Sequence, residues 1–393
     1  MTASPRFHPL VNDWFTTSVG HPTPVQELAW PRIAAREHLL ISAPTGSGKT
    51  LTAFLWALNR FATGELATGS TRILYISPLK ALNNDIQRNL LAPLAELKDY
   101  FEAAGETFPG VSVATRSGDT DAEMRRRMLR HPPEILITTP ESLNLLLSSR
   151  GGQTLLHDID TLILDEVHAV VESKRGVYLM SAVERLVPMS GEFQRIALSA
   201  TVNPLDEVAG FIGGFRRSGS EFTARSVGVI QAPSNKTYEI GIRYPEDAAR
   251  RPEGEKIWDY LAADLLQRIS DNQSTLIFVN SRALCEKLAW RLNSTAGRLV
   301  AYAHHGSLSR EIRADVEARL KRGELEAIVA TSSLEMGIDI GALDEVILVQ
   351  SPDSIASSIQ RIGRAGHRVG AVSRGTLYPT HPQDVIESAV LSR

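Results

Sequence analysis

Short apolar runs alternate along the chain with longer stretches of helical periodicity. Runs at Leu39 to Ser42, Ile73 to Ser77, Val111 to Ala114, Ile135 to Thr138, Leu162 to Asp165 and Ile196 to Ser199 end in polar or turn-forming residues, which predicts buried strands. Amphipathic segments separate them, so the first half reads as repeated strand–helix units: an α/β fold with a mostly parallel sheet flanked by helices. A second series runs through Thr275 to Val279, Val300 to Ala303, Ala327 to Ala330, Glu345 to Leu348 and Gly375 to Leu377. Between the two series, Phe211 to Gly254 is rich in Gly, Ser, Arg and Pro, with extended pieces at Ser226 to Gln231 and Tyr238 to Arg243. That stretch reads as an interdomain connection and divides the chain into domains 1–220 and 221–393. In open α/β sheets the working loops lie at the carboxyl ends of the strands. Ser77-Pro78, Thr138-Thr139-Pro140, Asp165-Glu166 and Ser199-Ala200-Thr201 fall there.

Composition narrows this picture without changing it. A chain of 393 residues is long for one hydrophobic core, which fits two domains. Apolar residues make up 43% and charged residues 22%, as in a globular protein rather than a disordered or fibrous one. The 42 basic and 45 acidic side chains leave a formal charge of -3, which neither announces nor excludes a nucleic-acid partner, because local patches set that footprint. Cys285 is the only cysteine, so an internal disulfide and a cysteine zinc cluster are excluded. The first residues lack the apolar core of a secretory signal and no run approaches membrane-spanning length, so a cytoplasmic protein with no membrane partner is expected.

The most informative segment is Ala43-Pro44-Thr45-Gly46-Ser47-Gly48-Lys49-Thr50, which follows the strand Leu39 to Ser42 and precedes the helical pattern Leu51, Phe54, Leu55, Leu58. Strand, glycine loop and helix in that order form a triphosphate-binding P-loop. Glycines let the backbone curl so that successive N–H groups point at phosphate oxygens, and the helix adds its positive N-terminal end. Lys49 then reaches the outer phosphates, and Thr50 offers a hydroxyl to Mg2+. Downstream, Thr161 to Glu166 is an apolar strand closing on two carboxylates. Asp165 is placed to hold the metal through water, and Glu166 to orient or deprotonate the attacking water. Two adjacent acids also occur at ordinary surface turns; the P-loop upstream distinguishes this pair.

With these motifs in view, the chain resembles a superfamily 2 helicase core of the DExH type, two tandem RecA-like domains, and within that group the large helicase-related (Lhr) branch. The resemblance extends from about Phe15 to Thr380. Thr23-Pro24-Val25-Gln26 matches the family's adenine-reading motif, with Phe15 as its aromatic partner. A carboxamide suits that task because it both donates and accepts. An N-capping Thr followed by Pro at the first helical position explains the same residues, and both readings hold together. Asp165-Glu166-Val167-His168 is the DExH box, and Ser199-Ala200-Thr201 matches the coupling motif, so the resemblance implies coupling roles for His168, Ser199, Thr201 and Gln360.

For nucleic-acid contact the resemblance points to Ser77, Pro78, Lys80 and Asn83, then Arg116, Ser117 and Gly118, then Thr139, Pro140 and Glu141. In the second domain it adds Asn280, Ser281 and Arg282, then His305 and Gly306, then Thr331, Ser332 and Ser333, while Gly337 and Asp339 lie where the family contacts ribose or the bridging network. Such hydroxyls, amides and cations follow a phosphate chain without reading bases. The segment Arg125 to Arg130 leaves two readings open: the solvated face of an amphipathic helix whose apolar side is Met124, Met128 and Leu129, or a row of phosphate contacts. Gln360-Arg361-Ile362-Gly363-Arg364 closes the set, and Arg361 and Arg364 share a helix face, as forked donors suited to charge on phosphoryl oxygens. Many helicases carry arginine where this chain has His367, which leaves the number of such fingers open.

The resemblance implies an ATP- and Mg2+-dependent translocase or helicase, monomeric, moving 3'-to-5' on single-stranded or tailed duplex nucleic acid, DNA before RNA, in repair or genome maintenance. Members of that branch usually continue into a winged-helix domain and further accessory modules, so the chain is expected to be either a piece of a longer protein that lacks them after Arg393 or a short homologue. Two other readings stand beside it: an RNA or RNA–DNA hybrid remodelling ATPase, and a non-enzymatic ATP-gated binding module.

Overall fold

A computed structural model describes residues 7–44, 46–78, 86–200, 202–231, 237–244, 256–335, 343–352, 354–365 and 372–392. The chain divides into two compact units, Met1–Ser234 and Asn235–Arg393. In the first unit the strands are β1 (His38–Ser42), β2 (Ile73–Ile76), β3 (Val113–Arg116), β4 (Ile135–Thr138), β5 (Thr161–Leu164), β6 (Gln194–Ser199), β7 (Phe215–Ser218), β8 (Glu221–Ala224) and β9 (Val227–Gln231). Seven of them form one sheet in the order β3-β4-β2-β5-β6-β1-β9, with every neighbouring pair parallel. Leu39 and Ile41 face one apolar layer with Phe54 and Phe61, whereas Leu40 faces a second with Leu179 and Val183. Both faces are therefore covered, which is why these strands read as continuous apolar runs.

The second unit repeats the plan. Strands β10 (Tyr238–Ile242), β11 (Thr275–Val279), β12 (Ala301–His304), β13 (Ala327–Ala330), β14 (Glu345–Val349) and β15 (Ser373–Tyr378) form an all-parallel sheet in the order β10-β15-β14-β11-β13-β12. Apolar layers lie on each face, one around Ile277, Cys285 and Leu288, the other around Phe278, Val316 and Ile362.

The middle of the chain differs from expectation. Strand β9 pairs with β1 from His38↔Val227 to Ser42↔Gln231, so the first unit runs on to Ser234 rather than ending at 220. Strand β10 is the opposite case, an edge strand of the second sheet paired to β15. The supposed connection thus supplies one edge to each sheet. A parallel partner far away in sequence leaves no local signal, so composition alone reads such an edge as linker. The hairpin β7–β8 was not foreseen either; its strands are exposed, and its register turns on Gly219 at φ +64°.

Candidate nucleotide site and polymer-facing loops

The P-loop leaves the carboxyl end of β1 and enters the helix Lys49–Ala62. Gly46 and Gly48 hold φ of +82° and +85°, the left-handed region that a side chain disfavours. A Cβ on Gly48 would also lie 2.9 Å from the Gln26 amide nitrogen, so the glycine makes room for that carboxamide. Lys49 Nζ donates to the carbonyls of Ala43 (2.5 Å) and Pro44 (2.8 Å), which keeps its charge inside the loop. Ser47 Oγ donates to Pro44 O at 2.7 Å, and Thr50 is half-buried in the first turn of the helix.

Thr23 ties the preceding segment to this loop. Its hydroxyl donates to Ser47 O (2.9 Å), and its backbone N–H donates to Gln26 Oε1 (2.8 Å), closing a capping box at the start of the helix Pro24–Ala34. Gln26 is 1% exposed, with its oxygen engaged in the cap and its amide nitrogen toward Gly48. The capping reading is therefore realised, and it delivers the adenine-reading candidate to the P-loop. Phe15 behaves differently from expectation. It is 5% exposed and meets Trp30 edge-on at 5.4 Å, which makes it a core ring held by packing rather than an open base-stacking surface.

At the end of β5, Asp165 is buried and accepts from the Glu166 backbone N–H at 2.8 Å and, in a short hydrogen bond, from the Tyr75 hydroxyl. Burial and the neighbouring Glu166 charge push its carboxyl up to about 7, against the pull of Tyr75 and Lys49. Glu166 itself sits at φ +49°, ψ +43°, a left-handed conformation costing about 1–3 kcal/mol for a non-glycine residue and typical of functional turns. His168 Nδ1 receives the Ala200 backbone N–H at 3.2 Å and lies 3.3 Å from Ser199 Oγ. A backbone N–H can only donate, so Nδ1 carries a lone pair, and its 3.4 Å approach to Glu166 Oε2 is a contact with a neutral ring rather than an ion pair. One histidine thus links the DExH turn to the end of β6. Among the described residues no group of three His, Cys, Asp or Glu side chains is disposed to hold a metal by itself. The Asp165 carboxylate and the Thr50 hydroxyl are hard oxygen donors of the kind Mg2+ takes from a protein, one or two together with substrate phosphates and water.

The strand-end loops expected to face a polymer are unevenly exposed. Ser77 is 0% exposed and Pro78 is buried, so these two brace the end of β2 rather than present a surface. Thr139 Oγ accepts from Ser142 N at 3.3 Å as the cap of the helix Pro140–Leu147, and Glu141 is held by Arg175 at 2.6 Å, which keeps its carboxyl below the ordinary value. Arg116 ends β3, and Thr120 Oγ closes the following turn through Ser117 N at 2.8 Å. Gly118 leaves open space on its Cβ side. Thr45, Lys80, Asn83, Thr201, Gly337, Asp339 and His367 lie outside the described residues.

In the second unit the candidates condense around one acid that the sequence did not single out. Glu335 follows the short turn Ser332–Leu334; its carboxylate accepts from Ser357 Oγ at 2.5 Å and lies 3.5 Å from Arg361 Nη2, and its backbone carbonyl accepts from Arg364 at 2.6 and 3.1 Å. Arg361 also donates to Asn280 Oδ1 (3.2 Å) and stands over the Phe278 ring at 5.3 Å. Arg361 and Arg364 are 6% and 5% exposed. Gln360 is half-buried on the helix Ile355–Ile362, which carries Arg361 and stops before Arg364, so the two arginines do not share a helix face as expected: Gly363 caps the helix and Arg364 stands in the turn that follows. Asn280 donates to Ser351 O at 2.8 Å, Ser281 caps the helix Arg282–Ala296, and Arg282 donates to Ser307 Oγ at 2.7 Å. His305 is buried against Glu286 (2.7 Å), beside an open Gly306. Ser333 is fixed by His304, donating to its carbonyl at 3.0 Å, while Thr331 is half-buried and Ser332 exposed. Tyr75 and Glu335 are the partners that sequence reasoning missed. The available signals were a tyrosine inside an otherwise aliphatic strand and an acid at the end of a hydroxyl-rich turn.

Known proteins share both halves of this chain. The DEAD/DEAH box helicase model matches residues 23–208, and the helicase conserved C-terminal domain model matches residues 258–369. The Lhr helicase/uracil glycosylase of Escherichia coli is 44% identical over 98% of this chain, which spans 28% of that protein. The ATP-dependent helicase Lhr-Core protein 2 of Thermococcus barophilus is 42% identical over 97% of this chain, which spans 44% of it. The solved structure of Mycobacterium smegmatis helicase Lhr bound to ssDNA and AMP-PNP superposes with a TM-score of 0.86 at 44% identity, over 98% of this chain and 49% of that one. The chain therefore spans about a quarter to a half of the length of these relatives. Two parallel RecA-like sheets, a P-loop facing a DExH turn and an arginine pair in the second unit thus come together with these matches: the chain belongs to the Lhr family of superfamily 2 DExH helicases.

Proposed function

We propose that the chain is an ATP-dependent translocase or helicase core that travels on single-stranded DNA. The carrying observation is the joint placement of Lys49 after β1 and the Asp165–Glu166 turn after β5, at the carboxyl ends of two strands with only β6 between them, close enough that the Lys49 charge acts on Asp165. In this reading the P-loop amides and Lys49 hold the triphosphate of ATP. Thr50 and Asp165 would hold Mg2+, which neutralises phosphate charge when bound. Glu166 orients the attacking water and accepts its proton at a carboxylate oxygen, helped by a strained turn that fixes its direction. Arg361 and Arg364 would act on the charge that develops as the terminal phosphoryl group leaves. Their present hold on Glu335 gives them a resting partner to exchange for phosphate.

Direction and role are finer proposals. Travel 3'-to-5' and work in repair or genome maintenance follow the family resemblance. The choice of DNA is supported by the relative of 44% identity whose structure was solved with ssDNA. Backbone contacts alone do not separate DNA from RNA without a reading of the 2'-hydroxyl. The deciding experiment is steady-state ATP turnover without polymer, with single-stranded DNA and with single-stranded RNA. Stimulation by DNA above RNA supports the reading, stimulation by RNA alone replaces it with an RNA-remodelling ATPase, and no turnover in any arm leaves an ATP-gated binding module.

A further inference from the structure

Two guanidiniums lean over one loop at the outer edge of the first sheet. Arg116 is the last residue of β3, and Arg125 lies on the following helix, Ala122–Arg130. Arg116 Nη1 donates to Ser117 O and Arg125 Nη2 to Gly118 O, each at 3.0 Å, so both lean over the same short loop. Among the described residues neither forms an ion pair, and Arg125 Nε is buried without a hydrogen-bond partner. Burial and the charge of Arg125 hold the Arg116 guanidinium below its ordinary value, which reports their closeness. By contrast Arg126, Arg127 and Arg130 on the same helix are exposed. The two readings left open for this basic segment therefore divide residue by residue: three arginines form the solvated face, and Arg125 is drawn into the loop.

A pair of like charges held together in a half-buried site is unfavourable until an anion with several acceptors joins it. A phosphodiester supplies two non-bridging oxygens, and each guanidinium offers a fork of donors. The location suits a polymer. Thr138 Oγ donates to Arg116 O at 2.8 Å, so the site adjoins the Thr138-Thr139-Pro140 loop and extends the row of strand-end loops to the sheet edge. We propose that Arg125 and Arg116 jointly bind one backbone phosphodiester of the nucleic-acid strand at the outer end of that row. This rests on the polymer-tracking reading above, and it adds a residue and a position to it.

The test is equilibrium binding of single-stranded DNA to the protein and to Arg125→Gln, Arg116→Gln, Arg126→Gln and the Arg116→Gln/Arg125→Gln double variant, between about 50 and 200 mM salt. Arg125→Gln and Arg116→Gln should each weaken binding roughly tenfold at low salt, the size of one charge-assisted contact, and flatten the log–log salt slope by up to about 0.7. Arg126→Gln should leave both unchanged. Because both arginines hold the same phosphate, the double variant should lose less than the product of the two single losses. Each single variant removes a like-charge contact, so its melting temperature should hold or rise. Unchanged affinity and slope in Arg125→Gln, independent losses in the double variant, or a loss of binding accompanied by a lower melting temperature would overturn the proposal. Failure of the underlying reading looks different: the unaltered protein would show neither salt-dependent binding nor polymer-stimulated turnover.

Discussion

The Asp165–Glu166 turn at the end of β5 and the Arg361–Arg364 pair at the end of the helix Ile355–Ile362 both concentrate charge, yet the fold treats them in opposite ways. In the first unit the acids stand in a left-handed turn beside a lysine whose charge acts on one of them, so the groups are aimed before any ligand arrives. In the second unit the arginines are turned inward onto Glu335, Asn280 and the Phe278 ring. Strained geometry is affordable in the first because it is fixed by two neighbouring strands and the Tyr75 hydrogen bond. Two buried cations are tolerable in the second because a carboxylate and a carbonyl from one residue meet both. One unit holds its charged groups in a strained turn, and the other pairs its own internally.

The contrast breaks most sharply at Arg364. If the paired arginines are called upon during hydrolysis, Arg364→Ala should lower polymer-stimulated turnover by about 1000-fold, the lower end of an arginine-finger effect, with ATP affinity nearly kept. Lys49, Thr50 and Asp165, the proposed nucleotide and metal ligands, belong to the other unit. Turnover and nucleotide affinity at saturating ATP and DNA decide the matter; full stimulated turnover rules the role out.

In the first unit, Lys49→Ala removes the charged donor from a loop already shaped for phosphate. Turnover should fall by at least about 100-fold at saturating ATP. A rate near that of the unaltered protein would end the P-loop assignment.

How far the sequence carried these points depended on whether the signal was local. Leu39 to Ser42 and Thr275 to Val279 read correctly as strands because both faces are buried and the apolar run is unbroken. The P-loop was legible because strand, glycines and helix lie within a short span. Phe15 and Ser77 misled because burial is set by distant neighbours: Trp30 covers the first, and the β2–β4 pairing encloses the second. The end of the first unit was missed for the same reason, since β9 finds β1 across most of that unit. Glu335 was passed over because its partners, Ser357, Arg361 and Arg364, approach only through the fold.

Glu335 offers a way to sharpen the comparison. Glu335→Gln keeps the side-chain shape, the Ser357 hydrogen bond and the backbone carbonyl that receives Arg364, but removes the charge facing Arg361. If Glu335 holds the arginines in reserve, turnover without polymer should rise while the stimulated rate changes less, so the stimulation ratio should fall about tenfold, the equivalent of about 1.4 kcal/mol. Measured rates with and without DNA giving an unchanged ratio would remove Glu335 from this role and leave it a packing residue.

The smallest effect lies at the far end of the strand that delivers the P-loop. His38 opens β1, and its Nδ1 accepts the Arg195 backbone N–H at 3.1 Å, so the folded ring is held neutral. Burial, then the charges of Arg195, Arg225 and Arg216, against the opposing Glu192, lower its value from 6.5 to about 4. Between those values the unfolded chain binds a proton that the folded chain refuses, so stability is fully present above 6.5 and is lost as the pH falls toward 4. The ring is only half-buried, and after allowance for solvent screening the loss should be about 1–2 kcal/mol. His38→Asn keeps an acceptor for Arg195 N but does not titrate. Urea midpoints for both proteins at neutral pH and near pH 5 should show the histidine form losing more stability on acidification, with ATP turnover at neutral pH alike, since the P-loop end of β1 is untouched. Equal acid sensitivity in the two proteins would show that His38 does not control it.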